Sequence, residues 1–112
     1  MEWVHEVLVE GDASVAGVAG LLRRLDAVAA RAPGTRFLLD ETGFRALSIG
    51  PREMREIAAT WRATVHLPQA RVAVVAPSPL VYGLNRMAIS LADADNVAVF
   101  RTREEAEAWL TL

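Results

Sequence analysis

Four short apolar runs alternate along this chain with four longer stretches of helical period. The runs Trp3–Val9, Arg36–Asp40, Arg71–Ala76 and Val97–Phe100 are rich in Val, Leu and Phe, which suits strands with at least one buried face. Between and after them the spacing predicts helices over about 14–31, 51–65, 79–93 and 103–110. Each predicted helix carries one apolar stripe with steps of three and four. The stripes are Val15, Val18, Leu22 and Leu25; then Met54, Ile57, Trp61 and Val65; then Leu80, Leu84, Met87 and Leu91; then Ala106, Trp109 and Leu110. Such spacing places each set on one helix face, so these residues are the expected core.

The helix ends have local causes. Ser14 is placed to cap the first helix and Pro33-Gly34 to end it. Gly50-Pro51 and Ser78-Pro79 open the second and third, with proline in the first turn, where its missing N–H costs nothing. Thr102 and Glu105 have the spacing of a capping box. Strand and helix alternate without a linker, a low-complexity tract or a repeat. This cadence predicts an α/β fold with a mostly parallel sheet, in one domain spanning 1–112.

Composition narrows the chemistry. A chain of 112 residues is long enough to bury roughly two thirds of its unfolded surface around one core, without disulfides or a metal. There is no cysteine, which excludes thiol catalysis and thiolate metal sites. Every cationic side chain is arginine, so neither Schiff-base chemistry nor a phosphate-loop lysine is possible. His5 and His66 are the only histidines, too few for a three-histidine zinc site. No metal or cofactor is expected. A net charge of -2 gives no electrostatic footprint for nucleic acid. No run approaches the ~20 apolar residues of a membrane span. Glu2, Glu6 and Glu10 do not suit a signal peptide, so a cytoplasmic protein is expected.

The order of elements, the segment VAVVAPSPLVYGLNRM and the closing VAVFRTREEAEAWL resemble the small bacterial STAS-like proteins. These share the fold of the sporulation anti-sigma-factor antagonist SpoIIAA and are grouped with lipid-carrier (CRAL-TRIO-type) domains. The resemblance covers nearly the whole chain and is strongest over 71–110. It implies a SpoIIAA-like right-handed superhelix of four βα units with a mostly parallel, four- to five-stranded sheet. The antagonists of that family act through a phosphorylated serine in an Asp-Ser-Ser-Gly turn where the second helix begins. The matching stretch here is FLLDETGFRALSIGPREM, 37–54, with Asp40 and Gly43 at the family's aspartate and glycine positions. In that register Ile49 and Gly50 replace the two serines, so the phosphoserine switch is not preserved. Ser48 is either that hydroxyl displaced by one residue, at a helix N-terminus that favours phosphate, or an ordinary turn serine.

Several residues invite a chemical role and also admit a structural one. Asp40, Glu41 and Thr42 follow a strand end, where α/β sheets place ligand sites. The two carboxylates suit a divalent cation or acid–base work, whereas Asp40 alone suits a turn that takes backbone N–H bonds. Arg45, Arg52, Arg55 and Arg62 lie in or just before the second helix and, with Ser48, offer a site for a phosphate or carboxylate. The alternative is a mixed-charge surface with Arg52 paired to Glu56 at i,i+4. Gly11, Gly17 and Gly20 lack dinucleotide spacing and suggest close helix-to-sheet packing instead. His5 reads as a strand-surface residue and His66 as a loop residue.

Opposite the core stripe of the third helix lie Tyr82, Arg86 and Ile89, types found at protein interfaces. Consecutive right-handed βα turns would put every helix on one sheet face, yet FLL, VAVV and VAVF are apolar on both parities. A second copy of the chain, an apolar ligand, or helices on both faces should therefore cover the other side. The sequence thus points to a non-enzymatic STAS-like regulatory or scaffold domain, homodimeric or bound to a regulatory protein partner through Tyr82, Arg86 and Ile89. The alternative is a carrier or sensor of a lipid or other small apolar ligand, held in a groove between helices and sheet.

Overall fold

The computed structural model describes residues 4–46 and 49–112. The chain runs through β1 (Val4–Leu8), β2 (Gly11–Asp12), α1 (Val15–Arg31), β3 (Arg36–Asp40) and β4 (Phe44–Arg45). It continues through α2 (Pro51–Ala63), a 3-10 turn at Leu67–Gln69, β5 (Arg71–Val75), α3 (Pro79–Ala92), β6 (Val97–Phe100) and α4 (Arg103–Leu110). Strands β1, β3, β5 and β6 form one parallel sheet in that order, with Val4 opposite Arg36, Arg36 opposite Arg71 and Val72 opposite Val97. The protein is an α/β fold of βα repeats with a four-stranded sheet. The β2–β4 pairing is a separate parallel step of two residues each. Gly11 enters it at φ 83°, a backbone shape that a side chain disfavours.

The caps act largely as their residue types demand. The Ser14 hydroxyl accepts from the Gly17 amide at 3.0 Å. Gly50 has no side chain to cap α2, and its own amide donates to the Glu53 carboxylate at 2.8 Å. At α4 the Thr102 hydroxyl accepts from the Glu105 amide and donates to the Glu105 carboxylate. Helix α2 stops at Ala63, two residues before the predicted end, so Val65 is exposed instead of joining its stripe. Gly17 and Gly20 do not serve sheet packing. A Cβ at Gly17 would meet the Ser14 cap, and one at Gly20 would meet only the Arg23 side chain. Among the described residues no helix is long and apolar enough to cross a membrane.

Each strand divides its side chains between two cores. On one face Phe37, Leu39, Val72 and Val74 meet Leu21, Leu22 and Leu25 of α1 and Val81 of α3, with Trp61 of α2 against them. On the other face Leu38, Ala73 and Val75 meet Ala106 and Leu110 of α4. The first three helices connect successive parallel strands, and crossover handedness keeps them on one side. Helix α4 is not a crossover between two of the described strands, so that rule does not fix its side. It folds back beneath β5 and β3, where Trp109 lies 5.8 Å from Phe100 and takes the Arg71 guanidinium over its ring at 4.2 Å. The expectation that all helices share one face is therefore corrected. Of the three possible covers for the second face, the structure uses helices on both faces.

The phase of α3 also differs from the predicted one. Leu80, Met87 and Leu91, expected in the core, are 59%, 49% and 43% exposed. Val81 and Ala92 are buried instead. The true inner set of Val81, Asn85, Ala88 and Ala92 has the same steps of four, three and four, displaced by one residue, which is about 100° of rotation. A polar residue at its centre hid it, and the structure explains that residue.

Candidate functional site

Side chains alternate along β3, so Phe37 and Leu39 point toward the three-helix side. The ladder continues one residue past the strand, with the Glu41 amide donating to the Val75 carbonyl at 2.9 Å. Glu41 thus keeps the inward parity and is 7% exposed, beneath helices whose facing residues are apolar. Its Oε1 accepts from Asn85 Nδ2 at 2.7 Å. The second Nδ2 hydrogen goes to the Val81 carbonyl at 2.9 Å, one turn back along α3. This helix carbonyl can only accept, so it fixes which end of the amide faces Glu41.

Around this pair lies a cavity of about 100 Å³ between the sheet and helices α1, α2 and α3. Its walls include Leu22 and Leu25 of α1, Ala58 and Trp61 of α2, Ile89 of α3 and Val74 of β5. A neighbouring chamber of about 80 Å³ reaches toward Met54 and Leu84. The two share Val18, Glu41, Phe44, Ile57, Asn85 and Ala88, so the polar pair stands at their junction. Apart from the Trp61 indole, Glu41 and Asn85 are the only polar side chains among the described residues lining either chamber.

Burial governs the ionisation of Glu41. Loss of hydration pushes its carboxyl up to about 7, against the Asn85 hydrogen bond and with the help of the Asp40 charge. Asp40 behaves in the opposite way. Its Oδ1 accepts from the Thr42 hydroxyl at 2.6 Å and from the Thr42 amide at 3.0 Å, and these bonds hold it below the usual carboxylate range. Asp40 therefore fills the turn role, while Glu41 faces the cavity. Adjacent residues of a strand point to opposite faces, so the two carboxylates do not converge as a cation or acid–base pair.

The other candidate residues are dispersed. Arg45 pairs with Asp12 at 3.0 Å across the β2–β4 step. Arg52 lies 3.7 Å from both Glu53 and Glu56, Arg55 is exposed, and Arg62 donates to the Leu91 carbonyl at the end of α3. Arg45 and Arg52 thus each lie beside carboxylates. Ser48 lies outside the described residues. Tyr82, Arg86 and Ile89 do not form one outward patch: Tyr82 packs on the core with Arg101 5.5 Å above its ring, Ile89 lines the cavity, and only Arg86 is exposed. His5 sits edge-on to Phe37. His66 is exposed, and its loop is held by Asp26, whose carboxylate accepts from the His66 and Leu67 amides at 2.7 Å each.

The sequence marks Glu41 only jointly with Asp40, as a candidate cation or acid–base pair, and nothing local singles out Asn85. Two signals point to them together. Glu41 continues the inward parity of Phe37 and Leu39, and Asn85 interrupts an otherwise apolar repeat with the right steps for a buried face. Comparison with known proteins found no matching family model, no matching curated protein and no matching solved structure.

Proposed function

We propose that this domain is a binding module, not an enzyme, and that it holds a small apolar molecule between its sheet and helices α1 to α3. One observation carries the reading: an apolar cavity whose lining converges on a single hydrogen-bonded pair, Glu41 and Asn85. Ligand sites are typically apolar concavities with a few convergent polar groups that set orientation. The size limits the guest. Apolar cavities of roughly 150 Å³ admit benzene, so the occupant is a compact molecule and not a long-chain lipid. STAS-like kinship remains part of the proposal, as a small-molecule sensor or carrier without the phosphoserine switch.

The test uses a compact apolar alcohol, 3-methylbutan-1-ol, titrated into the full chain and followed by amide NMR shifts. Binding should move residues lining the two chambers, and Ala88→Leu, which fills their junction, should abolish it while the fold persists. Shifts scattered over the surface, or unchanged by Ala88→Leu, would count against the reading.

A second reading has its own support. Leu80, Met87 and Leu91 form an exposed apolar stripe on α3 with Gly83, where an added Cβ meets open space. A small residue within such a stripe lets another helix approach closely, which suits a second copy of this chain packed α3 against α3. Light scattering on the purified chain should then give a dimer that Met87→Glu converts to monomer. A monomeric wild type ends that reading.

A further inference from the structure

Resting on the cavity reading above, we infer that the polar junction of these chambers is built for a small primary ammonium carrying a compact apolar body. Donor and acceptor accounting leads there first. Asn85 has spent both Nδ2 hydrogens, one on Glu41 and one on the Val81 carbonyl. What the ionised pair still presents is acceptors, the second Glu41 oxygen and Asn85 Oδ1. With Glu41 ionised, a ligand head that only accepts hydrogen bonds finds no donor at the junction. A head with several N–H donors does, and an ammonium has three.

Charge leads to the same class. Among the described residues no arginine or histidine lines either chamber, and the one ionisable lining group is the Glu41 carboxyl. The further charge that acts on Glu41 is Asp40, also acidic, whose effect is repulsive. The elements packed over Glu41 contribute Val18 from α1, Ile57 from α2, and Asn85 and Ala88 from α3, none of them charged. An anionic head would therefore enter a site with no cation and an acid at its end. An ammonium would meet a carboxylate whose desolvation the fold has already imposed, as its titration near 7 reflects. The apolar walls and the size of the chambers limit the body to about five or six carbons.

The probe set is three molecules of one shape: 3-methylbutan-1-amine, 3-methylbutan-1-ol and 3-methylbutanoate, titrated calorimetrically into the full chain at pH 8. The amine should bind at least tenfold more tightly than the alcohol, and the carboxylate weakest. Glu41→Gln, which keeps shape and one acceptor, should erase the amine's advantage, bringing its affinity to that of the alcohol measured on the same variant. A measurement without any variant is proton release. At pH 6 amine binding should expel a proton from the protein, seen as a dependence of the apparent enthalpy on buffer, whereas alcohol binding should not. If the alcohol binds and the amine gains nothing over it, or if Glu41→Gln leaves the preference intact, this inference falls and the cavity reading stands. Equal binding of the carboxylate has the same consequence. If none of the three binds, both fall together.

Discussion

Glu41 is an acid kept where an acid is costly, and its partner replaces only part of the lost water. Folded, its carboxyl titrates near 7, whereas an ordinary glutamate does so near 4.5. Between those values the folded protein holds a proton that the unfolded chain has released, so stability falls as pH rises through that window. The loss is on the order of a few kcal/mol. Glu6 and Asp40, both held below their usual range, act in the opposite sense, losing stabilisation as pH falls. Comparison with Glu41→Gln at each pH isolates the buried group. Urea denaturation should find the variant more stable than wild type at pH 8 and the two alike at pH 4. A difference that does not change with pH would show that Glu41 is not carrying this linkage.

At the scale of one element, α3 shows how a single polar pair sets the rotation of a helix. Its sequence offers two apolar stripes displaced by one residue, and the bulkier one, Leu80, Leu84, Met87 and Leu91, is the natural choice for a core. The smaller set wins because it carries Asn85 to Glu41. Turned the other way, a carboxyl beneath apolar helices would lose its hydrogen bond from Asn85, which costs about 1–3 kcal/mol or more for a charged group. Small residues at Ala88 and Ala92 help by leaving space beside the pair, part of which is the cavity. The expected stability order follows from burial. Val81→Ala should cost roughly 1–3 kcal/mol, and Met87→Ala should stay within about 0.5 kcal/mol. Denaturant midpoints that reverse this order would restore the bulkier stripe to the core.

Over the whole molecule, the sheet is buried from both sides by unequal covers: three helices on one face and the eight-residue α4 on the other. So short a helix is marginal alone. Its position depends on Ala106 and Leu110, both fully buried, and on Trp109 between Phe100 and the Arg71 guanidinium. Arg103 adds ion pairs to Glu6 of β1 and Glu107, exposed contacts of the kind that contribute at most about 1 kcal/mol. Leu110→Ala should therefore cost about 2–5 kcal/mol in urea denaturation, far more than Arg103→Ala. A small effect at Leu110 would mean that α4 is not what seals this face.

Much of this fold was legible in order, because strands and helices follow from periodicity, capping residues and prolines, which act over a few neighbours. The runs apolar on both parities even required a cover on each side of the sheet. The candidate site was not legible, since its two residues lie 44 positions apart and each looks unremarkable alone. Glu41 reads as half of a carboxylate pair with Asp40, and Asn85 as a polar residue within a helix. By itself the sequence determined the elements, their alternation and the absence of thiol and lysine chemistry, all set by residue types and short spacings. Only the tertiary structure decided the rotation of α3, the side taken by α4 and the meeting of Glu41 with Asn85. Those depend on which buried polar group finds a partner and which apolar face finds a cover, and both are long-range competitions within one packed interior.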